Sequence, residues 1–343
     1  MVEVFGCRGG KFKIHMNVKS GAAKLGKPRI SVVIPTRNEA DTIGACLEAV
    51  LAQSLKPHEV ILVDGHSTDA TVKIAGKFSA RILYDDSQSI GGGRQTGTDH
   101  AEGDYIAFTD ADVIPDKDWL ANLVKEFDDG IIGVGGQVRN LDRSFWQRSI
   151  NLALTTFPGS GNSVQGRLFP EKRFVDTISA CNAMYRKRDI QEAGGFSTEV
   201  ISEDSELNSR LLKKGRILYT PEAVVIHDQN KGLRDFIKLM FRWGKGIRET
   251  RRWRLQVIPP LSVPLLILCA IFLPRVFLVL LGLYLLMTLA IGANFAIKEK
   301  DPRYLFSIPI VYIIEHSIYS AGFWKEIILP HRTRATSEGT RKS

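Results

Sequence analysis

The sequence predicts an α/β domain built on a parallel sheet, followed by membrane-associated helices. Three observations carry this. Short β-branched runs alternate with helical stretches from Ile30 to Thr109, polar residues collect just after those runs, and beyond Val257 the chain becomes almost wholly apolar. Ile30 to Pro35 is the first run, followed by a helical stretch from Asp41 to Gln53 and a second buried-strand run at Val60 to Val63. The pattern continues with a helix from Asp69 to Phe78, a strand from Arg81 to Tyr84, a helix from Gly93 to Ala101 and a strand from Tyr105 to Thr109. Such alternation predicts a parallel sheet covered on both faces, with ligands bound beyond the carboxyl ends of the strands. The segments after Ile34, Val63 and Phe108 should therefore converge on one crevice. They read Pro35-Thr36-Arg37-Asn38-Glu39, Asp64-Gly65-His66-Ser67-Thr68-Asp69 and Asp110-Ala111-Asp112.

With 343 residues the chain has room for one large or two modest domains, which excludes a peptide or disulfide knot. Cys7, Cys46, Cys181 and Cys269 are scattered without metal spacing, so a reducing compartment fits best. The 46 Lys and Arg against 37 Asp and Glu give a net charge of +9. Because the basic residues cluster beside apolar runs, anionic headgroups and diphosphates explain the excess better than nucleic acid. Residues 1–28 carry Arg8, Lys11, Lys13, Lys19, Lys24 and Lys27 with no apolar core long enough for a secretory signal, and read as a basic cytoplasmic lead-in.

Val257 to Leu273 and Val276 to Ile297 are close to the roughly 20 apolar residues a helix needs to cross hydrocarbon. Pro274 and Arg275 between them suit a tight turn on the far side, making a helical hairpin. Tyr304 to Leu329 is apolar but holds Glu315, His316, Lys325 and Glu326, so it spans or lies in the interface. Arg234, Lys238, Arg242, Lys245, Arg248, Arg251, Arg252 and Arg254 precede the first span, and Lys298, Lys300 and Arg303 follow the second. Positive charge on both flanks predicts a multi-pass cell-membrane protein whose catalytic domain is cytoplasmic. Arg332, Arg334, Arg341 and Lys342 in the tail favour an interfacial or re-entrant third segment. Leu233, Phe236, Ile237, Met240, Phe241, Gly244 and Ile247 recur at helical spacing with Lys and Arg between them, as in a helix lying on a membrane. The expected organisation is a lead-in over 1–28, a catalytic domain over 29–230 whose core is complete before the first span, an interface helix region over 231–256, a membrane region over 257–329 and a basic tail over 330–343.

Two carboxylates spaced as in Asp110 and Asp112, where a buried strand breaks into a loop, suit Mg²⁺ or Mn²⁺. His227, in the strand-like run that follows Ala223, is a third candidate ligand, the alternative being a satisfied core or capping histidine. Glu203 and Asp204 open a helical stretch reaching Lys214, where they would also complement a helix dipole.

In order along the chain, SVVIPTRNEADTI, VDGHSTDAT, a Gly-rich turn with Arg94, FTDADVIPDKDWL, Ser202-Glu203-Asp204 and Phe241-Arg242-Trp243 resemble the family 2 glycosyltransferases of the GT-A fold, in their cellulose-synthase-like branch. The resemblance implies a Rossmann-like nucleotide-sugar-binding domain with C-terminal transmembrane helices. It implies that Asp64 accepts hydrogen bonds from the donor base, that Thr36, Glu39 and Arg94 line the donor crevice, that Asp112 is the more direct metal ligand, and that Asp110 lies nearer the nucleotide. Asp204 is then the general base of an inverting transfer. Arg242 sits against the diphosphate, while Trp243, Asn182 and Glu203 belong to the acceptor side. Helix capping is the other reading for Thr36 and Glu39. Leu239 stands where the processive branch has Gln, and so few spans cannot enclose a polymer channel, so addition of a single hexose is expected. The expected acceptor is a lipid-linked, polyprenyl or dolichol saccharide, with GDP-mannose favoured over UDP-hexoses as donor. The alternatives are a polyprenyl-phosphate sugar synthase, a processive polysaccharide synthase and an inactive membrane scaffold.

Overall fold

The structure is a computed structural model that describes residues 28–161, 163, 168–228, 232–247 and 255–329. Nearly all of the basic lead-in, Arg248, Arg251, Arg252 and Arg254, and the basic tail lie outside the described residues. The strands are β1 (Ile30–Thr36), β2 (Glu59–Asp64), β3 (Arg81–Tyr84), β4 (Tyr105–Phe108), β5 (Val113–Pro115), β6 (Ile131–Asn140), β7 (Arg173–Val175), β8 (Ala183–Arg186) and β9 (Arg216–His227). The helices of the polar region are α1 (Ile43–Leu51), α2 (Thr71–Ala75), α3 (Ile90–His100), α4 (Trp119–Val124), α5 (Phe145–Leu154), α6 (Phe157–Ser160), α7 (Lys187–Glu192) and α8 (Glu203–Leu211). Then come α9 (Leu233–Gly246), α10 (Ile258–Phe272), α11 (Pro274–Lys298) and α12 (Tyr304–Ile328).

All these strands share one sheet, ordered β3-β2-β1-β4-β8-β6-β9-β5, with β7 on β9. β3, β2, β1 and β4 run parallel, as their alternation with helices predicts. The expectation of a wholly parallel sheet is corrected beyond β4. There β8 inserts antiparallel between β4 and β6, and β5 and β7 add antiparallel to β9. β1 is buried along its whole length because helices cover both of its faces. One apolar cluster packs Ile43, Leu47 and Val50 of α1 with Trp119 and Leu123 of α4, and the opposite cluster packs Val33, Phe108, Tyr185 and Leu207.

β9 is the longest strand and contains an irregularity: Gly136 faces Thr220, while the next residue, Gln137, faces Val224. Pro221 falls in this interruption, where a residue without an N–H does not break the ladder. The bulge carries β9 on to His227, which faces Asn140 on one side and Val113 on the other.

α11, and α10 together with the turn before it, are long and apolar enough to cross a membrane: Leu255–Phe272 and Pro274–Lys298 have mean hydropathies of 2.2 and 2.5. Their outward faces expose Leu265, Ile271, Leu283 and Leu286. α12 differs. It packs on α9, α11, α10 and α5, and buries Glu315, Ser320 and Glu326 along with Ile308, Val311 and Phe323. The two clusters that flank the sheet contain no residue beyond Val225, and a separate cluster joins Ile150, Phe236 and Met240 to Tyr304, Ile308 and Tyr312 of α12. Two glycines permit this fit. A Cβ on Gly244 would stand 2.0 Å from the Tyr319 carbonyl oxygen, and one on Gly322 would stand 2.2 Å from that of Phe241.

Candidate active site

The parallel strands end side by side, so the polar segments after β1, β2 and β4 meet at one rim. Thr36 pairs in register with Asp64 at this rim, and the Thr36 hydroxyl is buried with no hydrogen-bond partner. Asp64 accepts from the backbone N–H of Ser67 at 2.9 Å and from its hydroxyl at 2.5 Å, which shapes the loop after β2. Ser67 also accepts from the Asn38 N–H, so it ties the two rim loops together, while Asp69 caps the start of α2 by accepting from the Thr71 N–H. The capping that is the other reading for Glu39 is not made by its side chain: the N-cap of α1 is Thr42, with no side-chain cap hydrogen bond, the Glu39 carboxylate accepts from the Thr42 hydroxyl, and only the Glu39 carbonyl accepts from the Ile43 N–H.

The Gly-rich turn becomes the start of α3. A Cβ on Gly97 would lie 2.2 Å from Val33, and one on Gly91 would lie 2.0 Å from the Ser197 carbonyl oxygen, so only glycines let α3 lie this close to β1 and the segment before α8. This approach buries Arg94, which donates to Asp110 Oδ1 at 2.7 Å and to Glu203 Oε1. Burial alone would lower the guanidinium's pKa, but the Asp110 and Glu203 carboxylates outweigh it and hold the pKa above its ordinary value. Burial pushes the Glu203 carboxyl up to about 7 despite Arg94. Arg94 thus links the loop after β4 to the first turn of α8.

Asp110, Asp112 and His227 offer ligand atoms that all lie within 4.8 Å of one another. The Asp112 N-terminal neighbour of β5 and the last residue of β9 meet because Val113 faces His227, and the Asp228 N–H donates to the Asp112 carbonyl at 3.2 Å. Burial would lower the His227 pKa, yet hydrogen bonding to Asp112 and Cys181 raises it well above 6.5. Two carboxylates and one imidazole form a donor set that suits Mn²⁺ or Mg²⁺, with the imidazole favouring Mn²⁺.

Asp204 lines a cavity of about 950 Å³ that also reaches Arg94, Asp110, Glu203, Arg242 and Trp243. Its half-buried carboxylate accepts from the Ser205 N–H at 2.6 Å and, through the other oxygen, from the Ala180 N–H at 3.4 Å. α9 is held beside this point: a Cβ on Gly246 would stand 2.3 Å from Ser202 Oγ. Asn182 does not join the cavity. The structure corrects its acceptor-side placement, because its amide accepts from Trp119 Nε1 and donates to the Gln137 and Ala223 carbonyls, joining α4, β6 and β9 inside the core. The cavity also holds Glu315, His316 and Tyr319 of α12, which no motif brought to the site. The signal for them was charge in an apolar helix.

The fold and site define a mixed α/β domain whose strand ends gather two carboxylates and an imidazole. Residues 31–194 match the family model described as Glycosyl transferase family 2. The chain carries a family 2 glycosyltransferase domain and is a glycosyltransferase. It is similar to the dolichyl N-acetyl-alpha-D-glucosaminyl phosphate 3-beta-D-2,3-diacetamido-2,3-dideoxy-beta-D-glucuronosyltransferase of Methanococcus voltae, at 25% identity over 89% of this chain and 98% of that protein. It is also similar to glycosyltransferase AglE of Haloferax volcanii, at 28% identity over 67% of this chain and 76% of that one. In fold it resembles the mannosyltransferase PcManGT of Pyrobaculum calidifontis, solved with GDP-Man and Mn²⁺, at a TM-score of 0.58 and 20% identity over 84% of this chain and 88% of that one.

Proposed function

We propose that the chain is a membrane-anchored, inverting glycosyltransferase that moves one sugar from a nucleoside-diphosphate donor to a lipid-linked saccharide at the cytoplasmic face. One observation carries this reading: a single cavity is lined by Asp110 and Asp204 and also by residues of α9, the start of α10 and α12. An acceptor whose lipid lies along the apolar helices would reach the reacting end through that space. The relative from Methanococcus voltae bears a name that specifies a dolichyl-linked sugar acceptor.

Thr36, Asp64 and Glu39 would line the nucleotide end, with the unpartnered Thr36 hydroxyl available to the donor. Asp112, Asp110 and His227 would hold the divalent cation, which when bound supplies charge stabilisation to the leaving diphosphate. Arg94 orients Asp110 from behind. Arg242 offers a guanidinium to phosphate, and Trp243 offers a ring face to a sugar. Asp204 accepts the proton of the acceptor hydroxyl as that oxygen attacks the anomeric carbon, a direct displacement that inverts configuration. α10 and α11 anchor the catalytic domain by crossing the bilayer.

The test is transfer by the full chain in phospholipid nanodiscs with Mn²⁺, offering GDP-mannose first and UDP-hexoses second. The acceptors are a polyprenyl phosphate carrying one N-acetylglucosamine and bare polyprenyl phosphate. One added sugar on the saccharide acceptor is expected. Transfer to the bare phosphate alone, or a ladder of many sugars, overturns the reading.

A further inference from the structure

Where α12 lines the cavity, Glu315 Oε2 is buried with no hydrogen-bond partner among the described residues. Neighbouring polar groups are satisfied: His316 Nε2 lies 3.3 Å from the Pro158 carbonyl and its Nδ1 lies 3.1 Å from the Tyr284 hydroxyl. That pattern makes Nε2 the donor and Nδ1 the acceptor, so His316 is spent joining α12 to α6 and α11. The Tyr312 hydroxyl bonds Thr156 at 2.5 Å, and Ser149 bonds Ser307 at 2.9 Å. Glu315 stands between these contacts on α12, 8% exposed, and among the described residues no hydrogen bond or ion pair reaches its carboxylate. It lines the same cavity as Asp204, with Trp243 and Tyr319 in the same lining.

A buried carboxylate without a partner is costly, and the chain holds it where a substrate would supply the partner. A carboxyl group keeps an acceptor oxygen whether or not it is ionised, so a ligand with an O–H or N–H donor satisfies it. Aromatic side chains in the lining suit the C–H faces of a sugar ring.

We propose that Glu315 is a specificity-determining residue that accepts a hydrogen bond from a hydroxyl or amide N–H of the sugar already on the lipid, and so distinguishes a lipid-linked saccharide from a bare lipid phosphate. This rests on the lipid-linked saccharide reading above.

Two experiments on the full chain in nanodiscs test it. The first labels carboxyl groups with a carbodiimide and an amine and reads Glu315 by mass spectrometry. Octyl mannoside or octyl N-acetylglucosaminide should protect Glu315 while octyl phosphate does not. No protection by either glycoside, or equal protection by octyl phosphate, overturns the proposal. The second measures transfer to polyprenyl-phosphate-linked N-acetylglucosamine. Glu315→Leu should raise acceptor KM roughly 10-fold, the scale expected when one buried hydrogen bond is lost. Donor KM and donor hydrolysis by water should stay unchanged, and Glu315→Gln, which keeps an acceptor oxygen, should fall between. Wild-type transfer to the saccharide acceptor with an unchanged KM in both variants sinks the Glu315 proposal alone. Wild-type transfer to bare polyprenyl phosphate alone sinks the functional reading and this proposal with it. Should Glu315→Leu fail to fold, Glu315→Gln and the wild-type labelling decide the matter.

Discussion

His227 Nε2 stands 3.2 Å from Asp112 Oδ1, because β9 ends opposite the first residue of β5. Under the proposed metal role, the same pair is an ion pair when the imidazole is protonated and would act as cation ligands when it is not. The two states exclude each other, and pH selects between them.

Mn²⁺ affinity should therefore rise with pH. The His227 pKa is raised well above 6.5, so the proton competes with the cation until pH exceeds that higher value. For the metal-free protein the sign is opposite. The stability contributed by the His227–Asp112 pair is fully present below about pH 6.5 and is lost as pH climbs through the folded-state value. Calorimetry in buffers of different ionisation enthalpy should show proton release on Mn²⁺ binding, and His227→Ala should abolish it. Binding without proton release would remove His227 from the ligand set.

Asp204→Asn should lower turnover by roughly 10² or more while leaving donor affinity nearly unchanged, because a general base acts in the transition state. Equal loss of donor binding would make Asp204 a structural residue instead.

Arg94→Met should destabilise the domain by about 3 to 5 kcal/mol, the usual cost of leaving a buried charge uncompensated. Both Asp110 and Glu203 lose their shared partner in that variant. Combining it with Glu203→Gln should restore part of the loss, and thermal unfolding of the two variants measures the difference.

Gly244→Val should cost about 1 to 3 kcal/mol through overpacking, since the Tyr319 carbonyl leaves no room for a side chain. α9 would be forced off α12, so transfer to the lipid acceptor should fall more than donor hydrolysis does. Equal falls in the two rates would mean that the crossing only stabilises the fold.

Trp243→Ala should weaken transfer to the lipid-linked acceptor while donor hydrolysis survives, because Trp243 lines the cavity where α9 meets α12. Unchanged acceptor KM would remove Trp243 from the acceptor's path.

The parallel half of the sheet was legible in the sequence because each strand there is a short β-branched run bounded by turn residues, and each buries its own pattern locally. The rim residues Thr36, Asp64 and Asp110 were legible for the same reason: where a strand ends, its next side chain belongs to the rim. Asp112 and Asp204 followed from motifs. Nothing local announced β8 as an antiparallel insertion, since strand direction depends on which neighbour a strand meets. Asn182 sits beside motif residues in sequence, yet its amide is spent on three partners from distant segments.

By itself the sequence determined the class of domain, the placement of Asp110 and Asp112 at a strand end and the apolar hairpin, because these depend on residue type and short-range spacing. Only the tertiary structure decided that His227 closes on Asp112, that Arg94 joins Asp110 to Glu203, and that α12 folds back to place Glu315 in the same cavity as Asp204. Each of these depends on a bulge register or a glycine contact between segments far apart in the chain, and packing of that kind has no periodicity for a sequence to display.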